Sequence, residues 1–270
     1  MSNLTQRILA ALVAAPVAAA AIWFGGWAFG ALAVFLAVGA QREVYALMQK
    51  GGLRPNVGLG LVLGAALSVR PLLPFDVSIF VVVGLIAAML LELTRKSQQP
   101  LADISATAFG LFYPSALIGY LVALRESSSP LLEPLDPFWL TLGTIVCVWG
   151  ADTGAYAAGR TFGKTPLFPR VSPNKTWEGA VGGFVTAGLL AWALKAFFVP
   201  ALGWDAVAAF ALCCGVFAPL GDLAESVFKR AAGVKDSGRF LPGHGGFLDR
   251  MDALIIAGPL VFLYLDWTLF

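Results

Sequence analysis

Apolar runs recur along this chain at the length needed to cross a lipid bilayer, and that repetition constrains the fold more than any other feature. A hydrocarbon layer about 30 Å thick takes about 20 residues of helix, each rising ~1.5 Å. Windows of this kind fall at about 6–24, 27–48, 57–73, 76–94, 103–124, 137–160, 177–199, 205–229 and 249–269. The third is the weakest, being short, glycine-rich and closed by Arg70 and Pro71. Charged residues make up only 13% of the chain against 59% hydrophobic, about half the ~25% charge of an ordinary soluble protein. A soluble globule is therefore excluded. The predicted fold is an all-α integral membrane protein, a polytopic bundle of about nine transmembrane helices. It reads as a single polytopic membrane domain over 1–270, with N-terminal helices in 1–100 and the chemistry in 101–270.

The placement of lysine and arginine tests the number of crossings, because short cytoplasmic loops carry the excess positive charge. If nine segments cross, one side collects fifteen of the 18 basic residues and the other only Arg70, Arg125 and Lys195. The richer side includes the N-terminus, which is thus predicted to be cytoplasmic. A net charge of +2, with cations at segment ends and no basic stripe, gives no ground for a nucleic-acid partner. Cys147, Cys213 and Cys214 lie inside apolar segments without metal-ligand spacing and read as small core residues. Arg7 and the Ala-rich stretch through Ala21 have the elements of a signal peptide, but a retained first helix is the simpler reading in a chain that goes on spanning.

Residues 222–252 hold ten of the 34 charged residues and the only histidine, His244. Carboxylates at membrane depth are costly unless paired or metal-bound. Asp222 and Glu225 are three residues apart, as are Asp249 and Asp252, so each pair shares one helical face. These charges either pin two helices together by pairing or hold a hard cation. Oxygen ligands suit Mg²⁺, which takes one or two carboxylates and completes its shell with phosphate oxygens and water. Pro219 removes a backbone donor and predicts a kink or interruption in the eighth helix.

Between the two carboxylate pairs run Lys229, Arg230, Lys235, Asp236 and Arg239, then Leu241-Pro-Gly-His244-Gly245-Gly246. Glycines let backbone amides approach an anion closely, and with these cations the segment reads as a polyphosphate cradle. His244 could contact phosphate, act as acid or base, or serve structure alone. A second cluster comes earlier. Asp152 falls inside the sixth window, and Ser172-Pro-Asn174-Lys175-Thr176-Trp-Glu178 opens the seventh. There Thr176 or Asn174 could cap the helix and Lys175 could reach an anion.

These residues resemble the phosphatidate cytidylyltransferases, also called CDP-diacylglycerol synthases. Their signature has the form S-x-x-K-R-x4-K-D-x-G-x2-L-P-G-H-G-G-x-x-D-R-x-D, and the chain carries it in register from Ser226 through Lys229, Arg230, Lys235, Asp236, Gly238, His244, Gly245, Gly246, Asp249 and Arg250 to Asp252. The runs from Asp152 and from Ser172 are similar to the same family. The resemblance is strong over 150–252, while the N-terminal part shows only a general pattern of apolar helices.

The resemblance implies that CTP and phosphatidic acid give CDP-diacylglycerol and pyrophosphate, in a polytopic and dimeric protein that depends on Mg²⁺. It further implies that Asp222 and Asp249 carry the metal, with Asp252 or Asp152 close by and room for a second cation. Lys229 and His244 join the two aspartates as catalytic candidates. Asn174, Lys175, Ser226, Arg230, Lys235, Asp236, Arg239, Gly245, Gly246 and Arg250 are the candidates for substrate binding. The expected setting is a bacterial inner membrane with a cytoplasm-facing site. Two rivals are a CTP-dependent polyprenol-type lipid kinase, which would pass on the γ-phosphate, and an ion-coupled transporter using Asp152, Asp222 and Glu225.

Overall fold

The computed structural model describes residues 3–76, 78–238 and 245–270, the side chains of 3–11 and 13 excepted. Its helices are α1 (Asn3–Phe24), α2 (Gly26–Lys50), α3 (Val57–Ser68), α4 (Ser78–Arg95), α5 (Pro100–Gly110), α6 (Leu117–Arg125), α7 (Asp136–Phe162), α8 (Trp177–Phe197), α9 (Trp204–Leu212), α10 (Ala218–Ala231) and α11 (Leu248–Thr268). A wider π turn at Leu111–Ala116 joins α5 to α6, and another at Cys213–Phe217 joins α9 to α10. Nine continuous helical rods result among the described residues, their ends within five residues of the windows read from sequence.

Among the described residues five rods are long and apolar enough to cross a membrane: Gly26–Lys50, Ser78–Arg95, Pro100–Arg125, Trp177–Phe197 and Trp204–Ala231. The 12 residues of α3 reach only about 18 Å at ~1.5 Å per residue, short of a full crossing. The exposed surface of α4 supports the membrane reading directly. Of its 18 residues only Gly84 and Ala88 are buried, while Ile79, Val82, Val83, Leu85, Ile86, Met89 and Leu90 are exposed. Lipid can face such a surface; water cannot without a large hydrophobic penalty.

Both π turns are tied to proline. A proline removes an N–H and crowds the carbonyl four residues earlier. Pro114 lies within the first turn, and Pro219 follows the second by two residues, so the interruption expected in the eighth rod is a local widening.

The chain divides into two compact units. The first comprises Met1–Val122 and Phe228–Met251, the second Ala123–Val227 and Asp252–Phe270. In the first, Leu63, Leu67, Leu111 and Ala116 form an apolar cluster. Beside it Gln41 Nε2 donates to the Tyr45 hydroxyl at 3.0 Å and to Gly60 O at 2.8 Å, and Ser115 Oγ donates to Gln41 Oε1 at 2.9 Å. These polar groups are buried and satisfied, which is the condition for carrying them inside an apolar interior.

In the second unit α7 and α8 form the most extensive helix pair. Ala151, Ala155 and Gly159 on α7 face Gly179 and Gly183 on α8, both series at spacings of four. Small residues at that interval let two backbones approach closely. The connection from α7 to α8 holds two antiparallel strands, β1 (Pro166–Phe168) and β2 (Ser172–Thr176), an addition to the expected all-α design.

The close approach makes a prediction about sign. Gly→Ala inside an accessible helix gains about 0.5–1 kcal/mol, and Gly188, whose added Cβ would meet only Ala211 at 3.6 Å, should follow that rule. At Gly183 the added Cβ would lie 2.8 Å from the Ala151 carbonyl oxygen. Gly183→Ala is expected to lose about 1–3 kcal/mol through overpacking. Thermal unfolding of both variants in detergent reads the opposite signs.

Candidate active site

The signature segment begins where α10 stops. Gly233 adopts φ +69°, while its N–H donates to Arg230 O and that of Val234 to Lys229 O, a left-handed helix end suited to glycine. The chain reaches α11 through Gly245, at φ +80°, and Gly246. Arg239 and His244 lie outside the described residues.

In the first unit the signature closes around Asp249. Its Oδ1 accepts from Lys229 Nζ at 2.7 Å. Its Oδ2 accepts from Ser237 N at 3.1 Å and Gly246 N at 2.7 Å. The pair is well buried, with 10% of the Lys229 side chain and 9% of the Asp249 side chain exposed. A carboxylate so placed needs a counter-charge and donors on its lone pairs, and the signature supplies both.

A residue that the sequence reading did not single out completes this cluster. Glu43 of α2 accepts from Phe247 N through Oε1 at 3.0 Å and from Leu248 N through Oε2 at 2.9 Å. Ser237 Oγ stands 2.7 Å from Glu43 Oε2 and 2.9 Å from Asp249 Oδ2. Gly238 and Gly246 press against the Glu43 carboxylate so closely that a Cβ on either would overlap it. The amides of Ser237, Gly246, Phe247 and Leu248 therefore approach an anion, as glycines there suggest, and in this structure the anion is the protein's own carboxylate. A usable signal was present, since Glu43 is an acidic residue inside a window expected to span.

In the second unit Asp222 pairs with Lys175, 2.8 Å from Oδ2 to Nζ. Lys175 also donates to Pro219 O at 3.3 Å, and Ser226 Oγ lies 3.4 Å from Asp222 Oδ1. Thr176 caps α8 by accepting from Gly179 N at 3.1 Å, as its position suggested, whereas Asn174 is exposed. Gly221, beside Asp222, leaves no room for a Cβ, which would lie 2.9 Å from Asp252 O; α10 and α11 thus pack closely there. Asp152 is exposed on α7.

The remaining cations are placed as follows. Arg230 is exposed and donates to Val234 O at 3.0 Å, and Arg250 is exposed in the first turn of α11. Lys235 and Asp236 line a cavity of about 320 Å³ with Lys50, Val234, Ser237 and Gly238, so Lys50 at the end of α2 joins the signature lysine in lining it.

Among the described residues no group of three or more His, Cys, Asp and Glu side chains could cage a metal ion. Asp222 and Asp249 are hard oxygen donors, each held by a single lysine. Each carboxylate taken by itself fits the Mg²⁺ mode in which the protein gives a single carboxylate and phosphates and water give the rest.

The two ion pairs differ in burial, and their removal should differ accordingly. Lys229→Met strands the Asp249 charge and is expected to lower stability by about 3–5 kcal/mol. Lys175→Met acts on a pair whose side chains are 26% and 32% exposed and should cost no more than about 1 kcal/mol. Thermal melts of the two variants in detergent make the comparison.

A family model described as the cytidylyltransferase family matches residues 5–268. A phosphatidate cytidylyltransferase of Brucella melitensis is 38% identical over 276 residues, covering 98% of this chain and 94% of its own. One from Synechocystis is 34% identical over 285 residues, covering 96% of each chain. Another, from Bacillus subtilis, is 34% identical over 282 residues and covers the whole of both. Similarity thus extends through the N-terminal helices, beyond the stretch where the motifs lie.

Proposed function

The chain belongs to the cytidylyltransferase family, and we propose that it transfers the cytidylyl group of CTP to phosphatidic acid, giving CDP-diacylglycerol and pyrophosphate for phospholipid synthesis. Similarity over the full length to proteins of that named activity carries the reading. The lysine-held carboxylates Asp222 and Asp249 supply chemistry that suits it.

In this reaction a phosphate oxygen of phosphatidic acid attacks the α-phosphorus of CTP. The bond from that phosphorus to the bridging oxygen breaks, and pyrophosphate leaves with the electron pair. The attacking phosphate is already anionic, so no strong base is required. The difficulty is repulsion between two anions, which calls for fixed positive charge. Lys229 is anchored on Asp249, and Lys175 on Asp222 with a further N–H left for a phosphate oxygen. Lys235 and Lys50 line the open cavity, and Arg230 and Arg250 project from helix ends. Bound Mg²⁺, for which Asp222 and Asp249 would each be a candidate carboxylate, would neutralise phosphate charge and stabilise the leaving pyrophosphate.

The site faces the cytoplasm of a bacterial inner membrane in this reading, with the N-terminus on the same side. The fifteen-to-three split of basic residues, which requires all nine windows to cross with the short α3 completing its passage through Arg70–Leu72, supports that orientation. CTP then arrives from water, while the lipid enters sideways from the leaflet and keeps its acyl chains in hydrocarbon. The family resemblance supports a homodimer.

CTP labelled separately at the α and γ phosphates tests the reaction in mixed micelles with phosphatidic acid and Mg²⁺. Label from the α position is expected in the lipid and label from the γ position in pyrophosphate; γ label in the lipid would mean a kinase instead. Asp222→Asn and Asp249→Asn should each lower kcat/KM by more than the roughly 10–100-fold typical of residues that only support metal ligands. Near-normal turnover in either folded variant would remove that aspartate from the assignment.

A further inference from the structure

We propose that Glu43 is a positioning residue for the reaction, acting through Ser237 and the start of α11 to fix the carboxylate of Asp249. The proposal rests on the reading above that Asp249 is a metal-binding carboxylate.

Glu43 Oε1 and Oε2 receive the N–H groups of Phe247 and Leu248, the donors that the first turn of a helix leaves unpaired. One carboxylate from α2 thereby fixes the direction in which α11 starts, and Asp249 is the second residue of that helix. Ser237 provides the second connection. Its hydroxyl has one hydrogen and two carboxylate oxygens within reach, Glu43 Oε2 at 2.7 Å and Asp249 Oδ2 at 2.9 Å. Asp249 Oδ2 already accepts from two backbone amides, which take both of its lone-pair directions, so a hydroxyl turned toward Glu43 spares the carboxylate a further donor and keeps its charge available at Oδ1, the oxygen that Lys229 holds. A hydroxyl turned toward Asp249 crowds Oδ2 with a third donor and draws charge from the carboxylate. Glu43 thus biases the hydroxyl and keeps Asp249 ready as a ligand.

Gly238 and Gly246 fit this role. Both belong to the signature, and both are places where a side chain would collide with the Glu43 carboxylate. Part of the glycine content of the signature accommodates a residue 195 positions upstream of Gly238. Every neighbour of the carboxylate named here is a donor, so glutamine is not a neutral replacement: its NH₂ must face either the Phe247 N–H or the Leu248 N–H with Ser237.

Three variants of the full chain in detergent test the proposal: Glu43→Gln, Ser237→Ala and Asp249→Asn. Each is read by Mn²⁺ binding, followed by electron paramagnetic resonance without nucleotide or lipid, and by its Mg²⁺ activation constant and KM for CTP. Ser237→Ala leaves the bonds from Glu43 to the α11 amides in place, so it remains informative if Glu43→Gln fails to fold. The expected result is a loss of metal affinity of about 10–100-fold in Glu43→Gln and in Ser237→Ala, the range for groups that orient a ligand. Combining the two should cost no more than the larger single effect. Wild-type metal affinity in both variants, with affinity lost in Asp249→Asn, would overturn the positioning role alone. Unchanged affinity in Asp249→Asn would instead overturn the metal reading on which it rests.

Discussion

Inside hydrocarbon no water is available to pair with a backbone N–H or C=O, and the architecture answers that constraint before any other. Helices satisfy it within one segment, which is why nine helical rods account for most of the described chain. Where a proline breaks the ladder, at Pro114 and just before Pro219, the helix widens into a π turn and continues. Side chains obey the same rule. Gln41, Tyr45 and Ser115 are buried only as members of a closed set of hydrogen bonds.

Charges follow it more strictly. Asp249 is tolerated at low exposure because Lys229 supplies the counter-charge and backbone amides fill its second oxygen. The more accessible Asp222 needs only Lys175. Each arrangement binds an anion to a cation in a form that a phosphate or a metal ion can exchange into. Under the proposed function, structural pairing and catalytic use would be successive states of the same groups.

The helices were legible because their signal is composition over about 20 residues, which local detail hardly disturbs. The cap at Thr176 was legible from residue type and position. The hairpin of β1 and β2 was not, because strands of three and five residues that contain Pro166 and Pro173 show no alternation to read. The signature could be read for its charges and glycines but not for their partners. Lys175 meets Asp222 across 47 positions and Glu43 meets Ser237 across 194, and periodicity says nothing at those distances. The glycines pointed correctly to amides approaching an anion; only geometry identifies the carboxylates that occupy them.

The separation between Glu43 and its partners also sets an order of assembly. The first unit is discontinuous, with Met1–Val122 completed by Phe228–Met251. At translation rates of about 5–20 residues per second, Glu43 leaves the ribosome roughly 10–40 s before Leu248. During that interval α2 holds a carboxylate whose donors do not yet exist. A nascent chain stopped anywhere before α11 thus contains most of the helices described above and none of the assembled signature, so the signature closes around Glu43 only once α11 has been made.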